Sequence, residues 1–345
     1  MKVKLSIDLL LMRGQNGVSV KAYIFTGAKN MDMNLINKTD LLVSPICMGT
    51  AVIGSTLNEE ESFRRLDMFY EAGGRFFDTA NVYADWIEGI EKSASEKTIG
   101  RWIKSRNIGS SVLVATKGGH GTLTGAIIGK TRLEKKELNE QIQKSLNNIC
   151  VDSIGLYYLH RDDISIPIEN IMDTLFENID KGYIRNIGCT NWSLKRLKLA
   201  NEYAKKCGRE GFVVSSDRWS LAKFKPDKDP SIVPFDEKRF EYIKSENLTE
   251  IPFQSMGRGT ISLIAEGKRP EENYDVKENY VIAENALKIA QNHNTTVASI
   301  SIAYLVNQDI DVIPIMFFDD EKQIKEAFFG ASIKLSKEEM IKLTV

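Results

Sequence analysis

The sequence predicts an α/β fold, a (β/α)8 TIM barrel with long loops at the C-terminal face, and three observations carry that prediction. From about Leu41 onward, short β-branched or aromatic runs alternate with helical stretches; there are eight such runs, and each is apolar almost throughout. A strand that reads as continuously apolar is buried on both faces, as in a parallel sheet covered by helices. A doubly wound sheet is the rival, but no GxGxxG follows the first run, so the dinucleotide-binding turn of that fold is missing.

In chain order the runs are VSPICMG (43–49), RFFDTA (75–80), SVLVATK (111–117), SIGLYYLH (153–160), IRNIGCTN (184–191), GFVVSS (211–216), EIPFQS (250–255) and DVIPIM (311–316). Helical signals lie between them. Asn58 with Glu61 starts a capping-box-like helix, Phe63, Leu66 and Tyr70 share its face, and Gly73 and Gly74 stop it. Leu138, Ile142 and Leu146, and then Ile168, Met172, Leu175 and Ile179, repeat at helical spacing and read as core. Two longer stretches, 222–249 after the sixth run and 260–280 after the seventh, are rich in charge, Pro or Asn. In a barrel they rise over the C-terminal face and shape a substrate pocket, or else stand as surface excursions.

Composition narrows the function. A chain of 345 residues with 42% hydrophobic content can hold a large core, as two domains or one barrel. Lys+Arg 46 against Asp+Glu 47, with no basic stripe or tail, excludes nucleic acid as the expected partner. Cys47, Cys150, Cys189 and Cys207 show no CxxC spacing and read as reduced thiols, which suggests a cytoplasmic protein. No apolar run approaches the roughly 20 residues that cross a bilayer. Residues 1–35 read as an N-terminal extension to the fold and 36–345 as a single barrel domain; LSIDLLLM resembles a signal peptide only faintly, because Asp8 interrupts it, and Met31 or Met33 is an alternative start.

In a barrel, the residues that end the strands converge on one mouth. Asp78 ends the second run with Tyr83 in the loop beyond, Lys117 ends the third, and His160 the fourth. Their chemistry is complementary: an ammonium beside a phenol favours phenolate and lowers its pKa, and a carboxylate keeps a buried ammonium charged. Lys117 is therefore expected to tune Tyr83 and Asp78 to support Lys117, while His160 orients a substrate carbonyl or shares the proton transfer.

These residues lie within FDTANVYAD, SEKTIGRWIKSR, VATKGG, LYYLHRDD, GYIRNIGCTNWS and WSLA, motifs that together resemble the aldo-keto reductases, in particular their bacterial aryl-alcohol-dehydrogenase-like branch, from about Ile36 to the C-terminus. The resemblance implies an NAD(P)-dependent enzyme that transfers hydride between nicotinamide and an aldehyde, ketone or sugar, with Tyr83 as general acid/base. It places cofactor contacts at Gly49, Thr50 and Asp78, at Thr190 and Asn191 where Ser-Asn is usual, and at Arg218 where glutamine is usual. It also places them at Phe253 where tyrosine is common, and at Ser255, Gly257, Gly259, Asp319 and Gln323.

After the eighth run, where the family it resembles tends to carry small or basic residues, this chain has Phe317, Phe318, Asp319 and Asp320. Carboxylates repel a 2′-phosphate and can accept from a free 2′-hydroxyl, which favours NAD over NADP; acids facing solvent, with Phe317 blocking the pocket, is the other reading. The altered loop and Arg218 support an alternative function, a catalytically weak, nucleotide-sensing or regulatory barrel. A metal-dependent barrel lacks ligands, since His120, His160 and His293 are the only histidines.

Overall fold

The runs read as strands build one closed wall. The computed structural model describes residues 33–344 apart from 122, 125–126, 129, 227–228 and 230, and before residue 33 only the paired strands Leu10–Arg13 and Ser19–Ala22. Seven strands lie parallel and adjacent in chain order: β1 (Cys47–Gly49), β2 (Phe76–Asp78), β3 (Leu113–Gly118), β4 (Ile154–Leu159), β5 (Ile184–Thr190), β6 (Phe212–Ser216) and β7 (Thr249–Glu250). Two short strands share the eighth position. β8 (Asp311–Val312) pairs with β7 and β9 (Ile315–Met316) pairs with β1, so the sheet closes into the expected (β/α)8 barrel.

Proline explains where strand lengths depart from the apolar runs, because it has no amide hydrogen for the ladder. Pro314 splits DVIPIM into β8 and β9, although its carbonyl still accepts from Cys47 N at 3.0 Å. Pro252 leaves only Glu250 of the seventh run in the ladder, with Thr249 just before it, yet Ile251 N and Phe253 N reach the carbonyls of Ser215 and Asp217 at 2.9 and 3.0 Å. In VSPICMG, Val43 belongs to a separate hairpin, Leu42–Val43 against Asn34–Leu35, and the barrel strand begins at Cys47. The boundary drawn at residue 36 falls inside this hairpin; the extension before residue 33 lies outside the described residues save for the two strands named above.

Helices α1 (Glu59–Glu71), α2 (Ala94–Arg106), α3 (Lys135–Ile149), α4 (Ile168–Asp180) and α5 (Leu194–Lys206) follow β1 to β5 in turn. Asn58 caps α1 by accepting from Glu61 N at 2.9 Å, but the capping box stays half-made because Arg64 and Arg65 take the Glu61 carboxylate. The stripes Leu138–Ile142–Leu146 and Ile168–Met172–Leu175 are buried as their spacing requires. The two long insertions are partly regular helix. Stretch 222–249 ends in α6 (Glu237–Ser245), capped by Asp236, and 260–280 contains α7 (Thr260–Ala265) and the start of α8 (Lys277–Asn292). Helices α9 (Val297–Val306), α10 (Glu321–Ser332) and α11 (Lys337–Leu343) complete the chain.

Side-chain alternation along the strands sorts the core. Phe76, Leu113, Ala115, Leu156 and Tyr158 fill the barrel interior, whereas Phe77, Val114, Tyr157 and Leu159 pack outward under the helices. Continuing the same period of two, Asp78, Lys117 and His160 point into the barrel at its C-terminal rim. At the opposite end the hairpin inserts Ile36, Leu41 and Val43 into the interior cluster as a plug. No helix among the described residues is long and apolar enough to cross a membrane.

Ile36→Ala should lower the unfolding free energy by about 2–4 kcal/mol in urea titrations, the range for emptying a fully buried aliphatic site; a loss below about 1 kcal/mol would mean the hairpin does not plug the barrel.

Candidate active site

A cavity of about 1200 Å³ opens at the C-terminal ends of the strands, and Asp78, Tyr83, Lys117 and His160 all border it. Lys117 Nζ sits at the centre. It makes a short contact to Asp78 Oδ1, donates to the Thr79 carbonyl at 2.9 Å, and donates to Tyr83 Oη at 3.2 Å. The loop after β2 turns tightly enough to bring Tyr83 back over this amine, with Tyr83 N donating to Ala80 O at 3.1 Å and Ser93 N to Asp85 Oδ1 at 2.7 Å. Four residues remote in sequence therefore share one volume.

Electrostatics in this cluster differ in one respect from the sequence reading. Burial alone would strip the Lys117 ammonium of its proton, but Asp78 and Tyr83 hold its pKa above the ordinary value. Burial pushes the Asp78 carboxyl up, and Lys117 pulls it back. For Tyr83 the expectation was a lowered pKa. Its pKa is raised instead, because desolvation of the phenolate outweighs the pull of Lys117 and Asp78 adds to the rise. At neutral pH the group at this position is a protonated phenol beside an ammonium, poised as a proton donor.

His160 is neutral. Burial drives its pKa well below the usual histidine value, and Arg161 pushes the same way. Its backbone is anchored by a 2.7 Å bond to the Gly118 carbonyl, and its ring meets those of Tyr83 and His120 edge to face, with centroids 5.9 and 4.9 Å away. Such a ring can meet a carbonyl oxygen through a nitrogen without bringing charge.

Most of the residues expected around a cofactor also border the cavity: Gly49, Thr50, Thr190, Asn191, Phe253, Ser255, Gly259, Asp319 and Gln323 do so. Arg218 and Gly257 do not. The Arg218 guanidinium turns away to stack on Phe224 at 3.9 Å and to donate to Tyr274 Oη at 3.0 Å, so it brings no charge to the wall. Gly257 lies behind the wall, where an added Cβ would come within 2.7 Å of the Ala222 methyl. The strand-end rule applied to GFVVSS points instead to Ser216, the last residue of β6, which borders the cavity. Its buried hydroxyl has no partner among the described residues. With Asn191 and Thr190 nearby, this orphaned hydroxyl makes the recess fit a ligand that carries an amide, and the half-buried Phe253 ring adds an aromatic surface. Arg161, one residue after His160, also borders the cavity, with its guanidinium held by the His160 carbonyl at 2.9 Å and Ser231 Oγ at 3.0 Å.

Beyond β9 the acidic residues are tied into the structure. Asp320 caps α10 by accepting from Gln323 N at 2.8 Å, while Asp319 pairs with Arg65 at 2.9 Å and its amide donates to Gln323 Oε1. Phe318 is buried against Phe69, whereas Phe317 remains partly exposed under the Arg65 guanidinium.

The sequence description of the Aldo/keto reductase family matches residues 45–344. The chain is 27% identical over 322 residues to a norsolorinic acid reductase of Emericella nidulans, covering 87% of this chain and 77% of the relative. It is 27% identical over 329 residues to the NADP(+) aryl-alcohol dehydrogenase of Phanerodontia chrysosporium, covering 87% and 81%. A solved thermostable aldo-keto reductase, crystallised with the inhibitor epalrestat, superposes with a TM-score of 0.69 at 21% identity over 91% of this chain and 98% of that one, a likeness of fold.

A histidine kept neutral in the fold but free to charge once unfolded binds more protons in the unfolded state, so its contribution to stability falls with pH below the ordinary histidine value of about 6.5. The stability of wild type relative to His160→Gln should therefore decline on going from pH 6.5 to 5, by up to about 1.4 kcal/mol per pH unit, in denaturant titrations at each pH; a pH-independent difference would mean that burial leaves the His160 pKa where it is in the unfolded chain.

Proposed function

We propose, because the chain belongs to the Aldo/keto reductase family and is an oxidoreductase, that it transfers hydride between a nicotinamide cofactor and the carbonyl carbon of a small molecule, with Tyr83 as the group that moves the proton at the oxygen. The observation that carries this reading is Lys117 Nζ within hydrogen-bonding reach of both Asp78 and Tyr83 Oη at the edge of one cavity. The nicotinamide, when bound, supplies the hydride in reduction or accepts it in oxidation.

The residues of this chain divide the remaining work. Tyr83, a phenol at neutral pH, gives its proton to the oxygen as negative charge develops there. Lys117 stabilises the phenolate that remains, and Asp78 keeps Lys117 charged throughout. His160 holds the carbonyl oxygen with a neutral ring nitrogen. Asn191, Thr190 and Ser216 would hold the carboxamide, Phe253 the face of the nicotinamide ring, and Ser255, Arg258 and Gly259 the pyrophosphate.

The substrate we propose is an aryl aldehyde or ketone, or the corresponding alcohol. The relatives named as aryl-alcohol dehydrogenase and norsolorinic acid reductase support an aromatic substrate. So does the aromatic edge beside the acid, where a partly exposed Trp86 meets the Tyr83 ring at 6.3 Å. For the cofactor we propose a preference for NAD. Asp319, Asp320 and Glu326 border the end of the cavity near α10, and Arg65 is occupied by Glu61 and Asp319; Lys322 and the NADP(+) named for one relative weigh on the other side. With Arg218 off the wall, a nucleotide-sensing barrel without turnover is left with the loop after β9 as its support.

Tyr83→Phe should lose about 10²–10⁴-fold in kcat on an aryl aldehyde such as benzaldehyde, while quenching of protein fluorescence still reports bound reduced cofactor; undiminished turnover in this variant would remove Tyr83 from the mechanism. Asp319→Arg should shift the ratio of dissociation constants toward NADPH relative to NADH, and an unchanged ratio would mean that the carboxylate does not face the ribose.

A further inference from the structure

We infer that His120 is a positioning residue for His160, its ring holding the imidazole in the orientation that presents Nε2 to the substrate oxygen. The inference rests on the carbonyl-reducing role proposed for the site and concerns a residue that the motif reading left without a function. A functional imidazole is commonly oriented by a hydrogen bond to its second ring nitrogen, which also decides which nitrogen carries the proton. His160 has no such bond. Its Nδ1 is buried and without a partner among the described residues.

What surrounds the ring must do that work. Two rings meet it: Tyr83, itself a reacting group, and His120, whose ring centroid lies 4.9 Å away with an interplanar angle of 64°. This edge-to-face geometry is favourable between aromatic rings and is lost if either ring plane tilts. His120 is itself fixed. It is 5% exposed, and its Nδ1 lies 2.8 Å from the Gly121 carbonyl, which can only accept, so Nδ1 carries the proton.

The backbone that delivers His120 is equally confined. A side chain at Gly118 would collide with Tyr157 Oη at 1.9 Å, and one at Gly119, where φ is +81°, with Leu133 at 2.3 Å. The Gly118 carbonyl also accepts from His160 N, which ties the loop carrying one ring to the strand end carrying the other. An imidazole N–H buried with no acceptor is costly, so the neutral His160 ring keeps its proton off Nδ1. Nε2–H is then the donor. His120 keeps it aimed into the cavity.

The test uses the full chain with three substitutions, His120→Ala, His120→Leu and His120→Phe. Leucine keeps bulk without a ring, and phenylalanine restores the ring without nitrogen. With benzaldehyde and saturating NADH, the Ala and Leu variants should lose about 10- to 100-fold in kcat while the NADH dissociation constant stays at the wild-type value, and His120→Phe should recover most of the loss. Wild-type kcat in His120→Leu, or a His120→Phe as impaired as His120→Leu, would overturn the inference; if His120→Ala does not fold, the Leu and Phe pair carries the comparison. A readout that needs no turnover separates this inference from the reaction on which it rests. In ¹⁵N spectra of the wild-type protein, with His160 assigned by its absence from His160→Gln, the ring should show one neutral tautomer protonated at Nε2, with signals that are sharp in the wild type and broadened in His120→Leu, where the ring loses its fixed plane. A wild-type His160 protonated at Nδ1 would overturn the inference even in an active enzyme.

Discussion

The site depends on one ion pair taken out of water. Lys117 and Asp78 are 4% and 2% exposed, and neither charge could persist there alone. Because they meet, an ammonium is held inside an apolar barrel, directly beneath a phenol that it can reach. The Thr79 carbonyl takes another of its protons, so the amine is satisfied on three sides and has little freedom to leave. Such a centre is rigid before any ligand arrives, and a charge developing on a substrate oxygen needs little reorganisation of the protein.

The barrel supplies that rigidity through alternation. Phe76 and Asp78 share a direction, as do Leu113, Ala115 and Lys117, and Leu156, Tyr158 and His160. The apolar members of each set make the interior core, and the polar member is the one that reaches the rim. The hairpin around Ile36 and Val43 stops the other end, so the interior is solid below the ion pair and open above it. Packing and chemistry here are successive positions on the same strands. The side of the cavity formed by β7 to β9 is looser in this sense, because Pro252 and Pro314 interrupt the ladder and the wall passes into loops that build the rest of the cavity.

Much of this was legible in the chain. The eight runs, the helices between them and the four residues of the ion-pair cluster follow from local periodicity and from the rule that strand ends converge. The cavity wall was legible only in part. Thr190, Asn191 and Phe253 border the cavity, but Arg218, placed there by the resemblance, does not, and Ser216, two residues earlier, does; where a strand becomes a loop, the alternation that says which way a side chain faces no longer applies. The aromatic Phe224 and Tyr274, distant in sequence, drew the guanidinium outward. Likewise nothing near Asp319 announces Arg65, which comes from α1 and is packed against the loop after β9 only because the barrel closes.

By itself the sequence determined the period of each element, the order of the strands, and so which residue types arrive at the rim, since these depend on spacings of a few residues. Only the tertiary structure decided the balance of forces on them. Whether the Tyr83 proton is loosened by Lys117 or tightened by burial is a sum over neighbours from β2, β3 and the intervening loops, and in the folded barrel burial is the larger contribution. The same holds for His160, whose neutrality and orientation come from an enclosure assembled out of separate loops, because solvent exclusion is a property of the packed whole that no local pattern encodes.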